Sequence, residues 1–146
     1  MPIYFQRNEI LRSIPHGSEA LLIEEAWLTP KNNILAILRC KGTESFFQGH
    51  YPNNPILPGV VLVEAFGQAG ALLCSSIKSF KEHKGYLAAI NKVKFRKPVY
   101  PPSIVYLEVH VKQLRSKMAI LKCYAYDAEE VPVASGNLWV GFKPEK

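Results

Sequence analysis

The stretch from Val60 to Ser76 (VVLVEAFGQAGALLCSS) constrains this chain more than any other. Before Ser75 its only strongly polar side chains are Glu64 and Gln68. Pro58 stands near a helix start, where a missing N–H costs nothing because that donor has no intrahelical partner. Lys78, Lys81 and Lys84 follow the far end, where cations suit the helix dipole. The reading is a helix apolar nearly all round, and such a helix is buried by the rest of its chain. A membrane span fits poorly. Pro55, Pro58, Gly59, Glu64 and Gln68 crowd the segment, and its uninterrupted apolar run falls short of the ~20 residues needed to cross a bilayer.

The material to bury this helix lies on either side of it. Residues 33–40 (NILAILRC) have the aliphatic, β-branched composition of a strand. In residues 103–112, Val105, Leu107, Val109 and Val111 alternate with Tyr106, Glu108, His110 and Lys112, the two-residue period of a half-buried strand. Residues 117–126 alternate too. Residues 131–142 resume after the polar turn Asp127–Glu130, with Pro132 setting the start of that strand at an edge or a bulge. Residues 86–96 supply a further strand. The expected fold is α+β, a curved antiparallel sheet wrapped around one long buried helix. With 146 residues the chain reads as a single domain, 1–146, able to hide roughly 68–70% of its unfolded surface.

Composition excludes other classes. Hydrophobic residues at 48% and charged residues at 21% rule out a disordered tail. Cys40, Cys74 and Cys123 are widely spaced with no C-x-x-C, so reduced thiols fit better than a disulfide framework or a zinc site. Residues 1–11 carry Arg7 and Glu9 and no apolar h-region, which predicts no secretory signal and a cytoplasmic location.

Chemistry concentrates around the helix. A carboxylate on an apolar helix is costly unless paired or neutralised. Glu64 and Gln68, one turn apart on the same face, read either as a structural pair or as a site. His50 weighs toward a site. It sits in the loop QGHYPNNPILPG, whose Pro52, Pro55 and Pro58 each fix a φ angle. A stiff loop delivering an imidazole toward a carboxyl withdrawn from water suits acid–base work. Gly59, at the helix start, leaves N–H groups open to a ligand carbonyl, an oxyanion-type arrangement.

The run FFQGHYPNNPILPGVVLVEAFGQAGALL resembles the signature of (3R)-hydroxyacyl-acyl-carrier-protein dehydratases of the FabZ type, which have the hotdog fold. Its core is G-H-[FY]-P-x-x-P-x-x-P-G followed by E-A-x-x-Q. IPHGSEALLIEE and KFRKPVYPPS are weaker matches to the family's N-terminal Pro-His segment and its Arg-Lys-Pro-Val loop. The resemblance implies a hydro-lyase in which His50 handles the α-proton and Glu64 the departing hydroxyl. It further implies that the Gly59 N–H holds the thioester carbonyl and that Gln68 supports the site. Pro58 and Tyr51 join Gly59 and Gln68 as substrate-binding positions. Glu64, where isomerising relatives usually carry aspartate, favours plain dehydration. No metal or cofactor is implied, and no H-E-x-x-H spacing is present.

The resemblance also implies partners. One is an acidic acyl carrier protein bearing a phosphopantetheine-linked acyl chain, for which the net charge of +6 is suited. Lys92, Lys94, Arg96 and Lys97 form the expected docking stripe, which reads equally as a solvated strand edge. Another is a second copy, since His and Glu of one family site come from two protomers. A homodimer is thus the minimum, with a trimer of dimers or a hetero-oligomer with a related hotdog subunit as larger options. His16 departs from the family pattern in its following residues and reads as structural or as part of the substrate entrance. His83 and His110 read as solvated. Tyr51, PNNP and YPPS depart from the family's commoner residues and point to a specialised polyketide or polyene pathway rather than housekeeping fatty acid synthesis. The alternatives are a hotdog thioesterase, which generally lacks the G-H-x-P-x-x-P loop, and a non-catalytic acyl-binding subunit, which usually loses the His or the Glu. Nucleic acid is not expected, since no RNP-like or zinc-finger spacing occurs.

Overall fold

The alternating segments form strands of one sheet. The computed structural model describes residues 1–80 and 83–144. Strand β1 (Ile3–Phe5) and helix α1 (Arg7–Ser13) precede β2 (Ile23–Leu28) and β3 (Asn33–Cys40). A loop with a 3₁₀ turn at Ser45–Phe47 leads into α2 (Gly59–Ser75). A second 3₁₀ turn, Lys78–Phe80, is followed by β4 (His83–Phe95), β5 (Ser103–Arg115), β6 (Met118–Tyr126) and β7 (Pro132–Pro144). All the strands join one antiparallel sheet of seven, ordered β1-β2-β3-β5-β6-β7-β4.

The period of two decides which face meets the helix. Val105, Leu107 and Val109 of β5 are buried, as are Leu121, Cys123 and Ala125 of β6 and Ile34, Ala36 and Leu38 of β3. Against them α2 sets Leu62, Ala65, Phe66, Ala69, Leu72 and Leu73. Gly70 lets the helix approach closely: a Cβ there would come 2.4 Å from Cδ1 of Leu121. This is the hotdog arrangement, and the strand at 33–40 matches its expected bounds. Pro132 lies opposite Tyr126, where the register slips between Ala125 and Tyr126. The missing N–H is therefore absorbed by a bulge.

Several expectations need correction. The helix is not covered on every side: Val60 is 77% exposed. Beside it runs β4, the last strand of the sheet, with Tyr86, Leu87, Ile90 and Phe95 exposed. One seam of the molecule is therefore apolar and bare, because the sheet ends before it has wrapped the helix. His83 opens β4 rather than lying in a loop; its side chain, like Lys81, falls outside the described residues. His110 is half-buried on the outer sheet face and pairs with Glu108. The expected alternation of Lys92, Lys94 and Arg96 is broken, because Lys92 adopts φ +53° and the register slips between Asn91 and Lys94. Strand β1 and helix α1 were not foreseen. They are short, and α1 rests on a capping box between Gln6 and Glu9 and on burial of Ile10.

The three cysteines are free and buried. Burial pushes the Cys40 thiol up to about 11 and those of Cys74 and Cys123 up to about 12, so they pack as small apolar groups. Among the described residues no helix is long and apolar enough to cross a membrane.

Two outcomes follow from this packing. A Cβ on Gly136 would come 2.6 Å from Val93 Cγ2 and 3.0 Å from the Val93 α-carbon. Gly136→Ala should thus destabilise by about 1–3 kcal/mol, by the usual cost of overpacking, as read from urea unfolding. Ahead of the His50 loop, the Glu44 carboxylate accepts N–H bonds from Lys41 at 3.0 Å and Gly42 at 2.9 Å. Burial alone would raise its pKa, but these backbone donors outweigh burial and hold it below the ordinary value. The stabilisation is complete above the unfolded-state pKa and is lost as pH falls through the depressed folded one. The protection factor of the Gly42 amide, taken by NMR against the intrinsic exchange rate at each pH, should fall over that acid window, and Glu44→Gln should abolish the step.

Candidate active site

The proline-rich loop delivers His50 in a defined orientation. Its backbone is pinned by Leu57 N–H donating to Val99 O at 2.8 Å and by a turn in which Asn54 N–H donates to Tyr51 O at 2.9 Å. Tyr51 takes φ +55° in that turn, and its ring stands edge-on to His50 with centroids 4.8 Å apart. His50 Nδ1 lies 2.9 Å from the Ile56 carbonyl. A carbonyl only accepts, so Nδ1–H donates and Nε2 is left as the basic nitrogen. His50 and Tyr51 line a cavity of about 520 Å³ with Gly59, Val60, Phe95 and Arg96.

Gly59 is needed here for a reason the sequence did not show. A Cβ on it would lie 2.8 Å from Cζ of Phe95, so a ring from the sheet edge, rather than a ligand, claims the space over its α-carbon. Its N–H still belongs to the open first turn of α2, where Pro58 brings no side-chain cap. That turn is the positive end of a long helix, directed at the His50 cavity.

Glu64 differs from expectation. Its side chain is 52% exposed, not buried. It lines a second cavity of about 240 Å³ with His16, Gly67, Ala71, Tyr86 and Leu87. Within one chain the His50 and Glu64 cavities share no residue, so a single protomer does not bring the two groups together. Gln68 is fully buried. Its Nε2 donates to Glu64 Oε1 at 3.1 Å and to Ala20 O at 2.8 Å, while its Oε1 accepts from Leu22 N–H at 2.8 Å. His16 also reaches Glu64, with Nε2 3.2 Å from Oε1. The sequence predicts for His16 a structural role or a place at the substrate entrance, not contact with Glu64. Its position in the Pro-His segment was the available signal, but contact with Glu64 depends on how α1 docks.

The basic residues disperse. Arg96 and Lys97 line the His50 cavity, but Lys97 is held by Asp127. Lys92 and Lys94 are exposed on β4.

Residues 18–134 match the model of the FabA-like domain. A 3-hydroxyacyl-[acyl-carrier-protein] dehydratase FabZ from Clostridium tetani is 40% identical over 125 residues, covering 85% of this chain and 88% of the relative. The FabZ of Ehrlichia chaffeensis is 39% identical over 123 residues, covering 84% and 85%. Among solved structures, the dehydratase heterocomplex ApeI:P from Xenorhabdus doucetiae superposes with TM-score 0.78 at 17% identity, over 94% of this chain and 91% of that one. A hypothetical thioesterase with coenzyme A from Streptococcus pneumoniae gives TM-score 0.63 at 9% identity, over 80% and 82%; at such identities these two speak for the fold alone. With a family model spanning most of its length and relatives near two-fifths identical, the chain belongs to the FabA-like family.

Proposed function

We propose that this protein is a hydro-lyase that dehydrates a 3-hydroxyacyl thioester carried on acyl carrier protein to the trans-2-enoyl thioester, as in fatty acid biosynthesis. The observation that carries this reading is the division of one acid–base set between two half-sites on the same bare seam. The His50 half lies at the N-terminus of α2 beside Phe95, near the end of β4. The Glu64 half lies farther along α2 beside Tyr86 and Leu87, near the start of β4. A two-fold axis through the middle of β4 pairs that edge strand with its copy in antiparallel fashion. It then sets the His50 half of one protomer against the Glu64 half of the other, twice. The same axis covers Ile90 and the neighbouring exposed apolar groups, the usual fate of a bare apolar edge.

In the completed site, His50 Nε2 takes the α-proton and the electron pair forms the Cα–Cβ double bond. The Cβ–O bond breaks, and Glu64 gives its proton to the departing hydroxyl, which leaves as water. The enolate-like charge on the thioester oxygen is met by the N–H groups opening α2. Arg96, beside the His50 cavity, and Lys94 are suited to an acidic carrier, which would present its acyl arm at that mouth.

His50→Ala and Glu64→Gln should each lower turnover by about 10²–10⁴-fold, the usual share of general acid–base catalysis, as read by mass spectrometry from the loss of water on a 3-hydroxyacyl carrier. Mixing the two inactive variants under subunit exchange should restore activity, since each heterodimer regains one intact site. No recovery despite exchange would contradict the shared site. Lys94→Glu with Arg96→Glu should raise KM for the carrier-bound substrate and leave the free pantetheine thioester unaffected. Equal effects on both would remove the docking assignment.

A further inference from the structure

His16 has no part in the reaction just described, yet it touches Glu64. The segment that carries it is anchored on both sides. Ile14 is buried where α1 ends, and the amide of Gln68 grips Ala20 O and Leu22 N–H. The ring is therefore held against α2 and is not a loop side chain free to swing away. Its side chain is 25% exposed, while Nδ1 is buried and without a hydrogen-bond partner.

That orphaned nitrogen bears on which ring nitrogen carries the hydrogen. A doubly protonated ring would bury an N–H at Nδ1 with no acceptor, and an unsatisfied charged donor is costlier than an unsatisfied lone pair. The neutral ring with its hydrogen on Nε2 is the form that fits, and that hydrogen points at Glu64 Oε1. Oε1 then receives two donors, His16 Nε2–H at 3.2 Å and Gln68 Nε2–H at 3.1 Å. Two lone pairs are thereby occupied, and Oε2 is the oxygen left to face the cavity.

We propose that His16 is a positioning residue for Glu64: as a neutral donor it engages Oε1 together with Gln68, so that Oε2 alone carries the proton delivered to the departing hydroxyl. The proposal rests on the dehydratase reading above. A neutral donor suits this task because it fixes the plane of the carboxyl without placing a cation beside a group that must hold a proton. Gln68 alone would leave that plane free to turn about one hydrogen bond.

The test compares His16→Gln with His16→Asn. Glutamine extends an amide nitrogen to about the reach of imidazole Nε2, whereas asparagine ends where Nδ1 sits. A packing role would treat the two alike. With a 3-hydroxyacyl thioester, His16→Asn and His16→Ala should lose about 10- to 100-fold in kcat at little-changed KM, as expected when a hydrogen bond to an ionisable catalytic group is removed. His16→Gln should stay within about threefold of the parent, because the donor is retained. Thermal melting of each variant verifies the fold, and the Gln–Asn pair keeps the comparison usable if the alanine variant unfolds. Equal kcat in the Gln and Asn variants, or an effect confined to KM, would overturn the assignment and leave the dehydratase reading standing. A parent protein that forms no enoyl product would overturn that reading, and this one with it.

Discussion

The buried amide of Gln68 is the interaction on which the rest of the site depends. A carboxamide enclosed by apolar side chains must find partners for both of its ends. Here it finds them in Ala20 O and Leu22 N–H on one side and Glu64 Oε1 on the other. One side chain thus ties the connection between α1 and β2 to the central helix and orients the carboxyl one turn away. Replacing it by an apolar residue of similar size would strand a backbone donor and acceptor in the interior, which is costlier than the loss of an exposed hydrogen bond.

A second constraint is geometric. Seven strands cover most of a 17-residue helix but stop at β4, leaving a seam of apolar groups along α2 and the sheet edge. Both cavities, the one beside His50 and the one beside Glu64, open on that seam. The same incompleteness that leaves these apolar groups in water supplies the hollow beside Glu64, since a helix wrapped on every side would leave none there. Small residues sustain this arrangement. Gly67 and Ala71 border the Glu64 cavity on the helix, and Gly59 admits the Phe95 ring that walls the other.

Much of the fold was legible because its signals are local. The period of two marked the strands at 103–112 and 117–126 and, in the first, its apolar face, while Pro132 marked an edge or a bulge, of which the pairing shows the bulge. Short elements escaped: β1 has three residues, too few for a period, and α1 is held by a cap and by its docking. The expectation that Glu64 is buried failed because helix composition was read as burial, whereas burial depends on what the neighbouring strands cover. The expected alternation of Lys92, Lys94 and Arg96 broke for a related reason, since one residue at positive φ shifts every side chain after it to the other face.

The sequence by itself determined the elements of the core and the residues with chemistry to offer: the imidazole in its proline-rich loop, the carboxyl and amide one helical turn apart, and the glycine at the helix start. These follow from backbone preferences and from spacings of a few residues, which any chain carries with it. Only the tertiary structure decided that His50 and Glu64 lie in separate cavities of one protomer, that Phe95 stands over Gly59, and that His16 meets Glu64 through Nε2. Those relations join residues far apart in the chain. They are set by where the sheet ends and how α1 docks, quantities that depend on the packing of all the elements together.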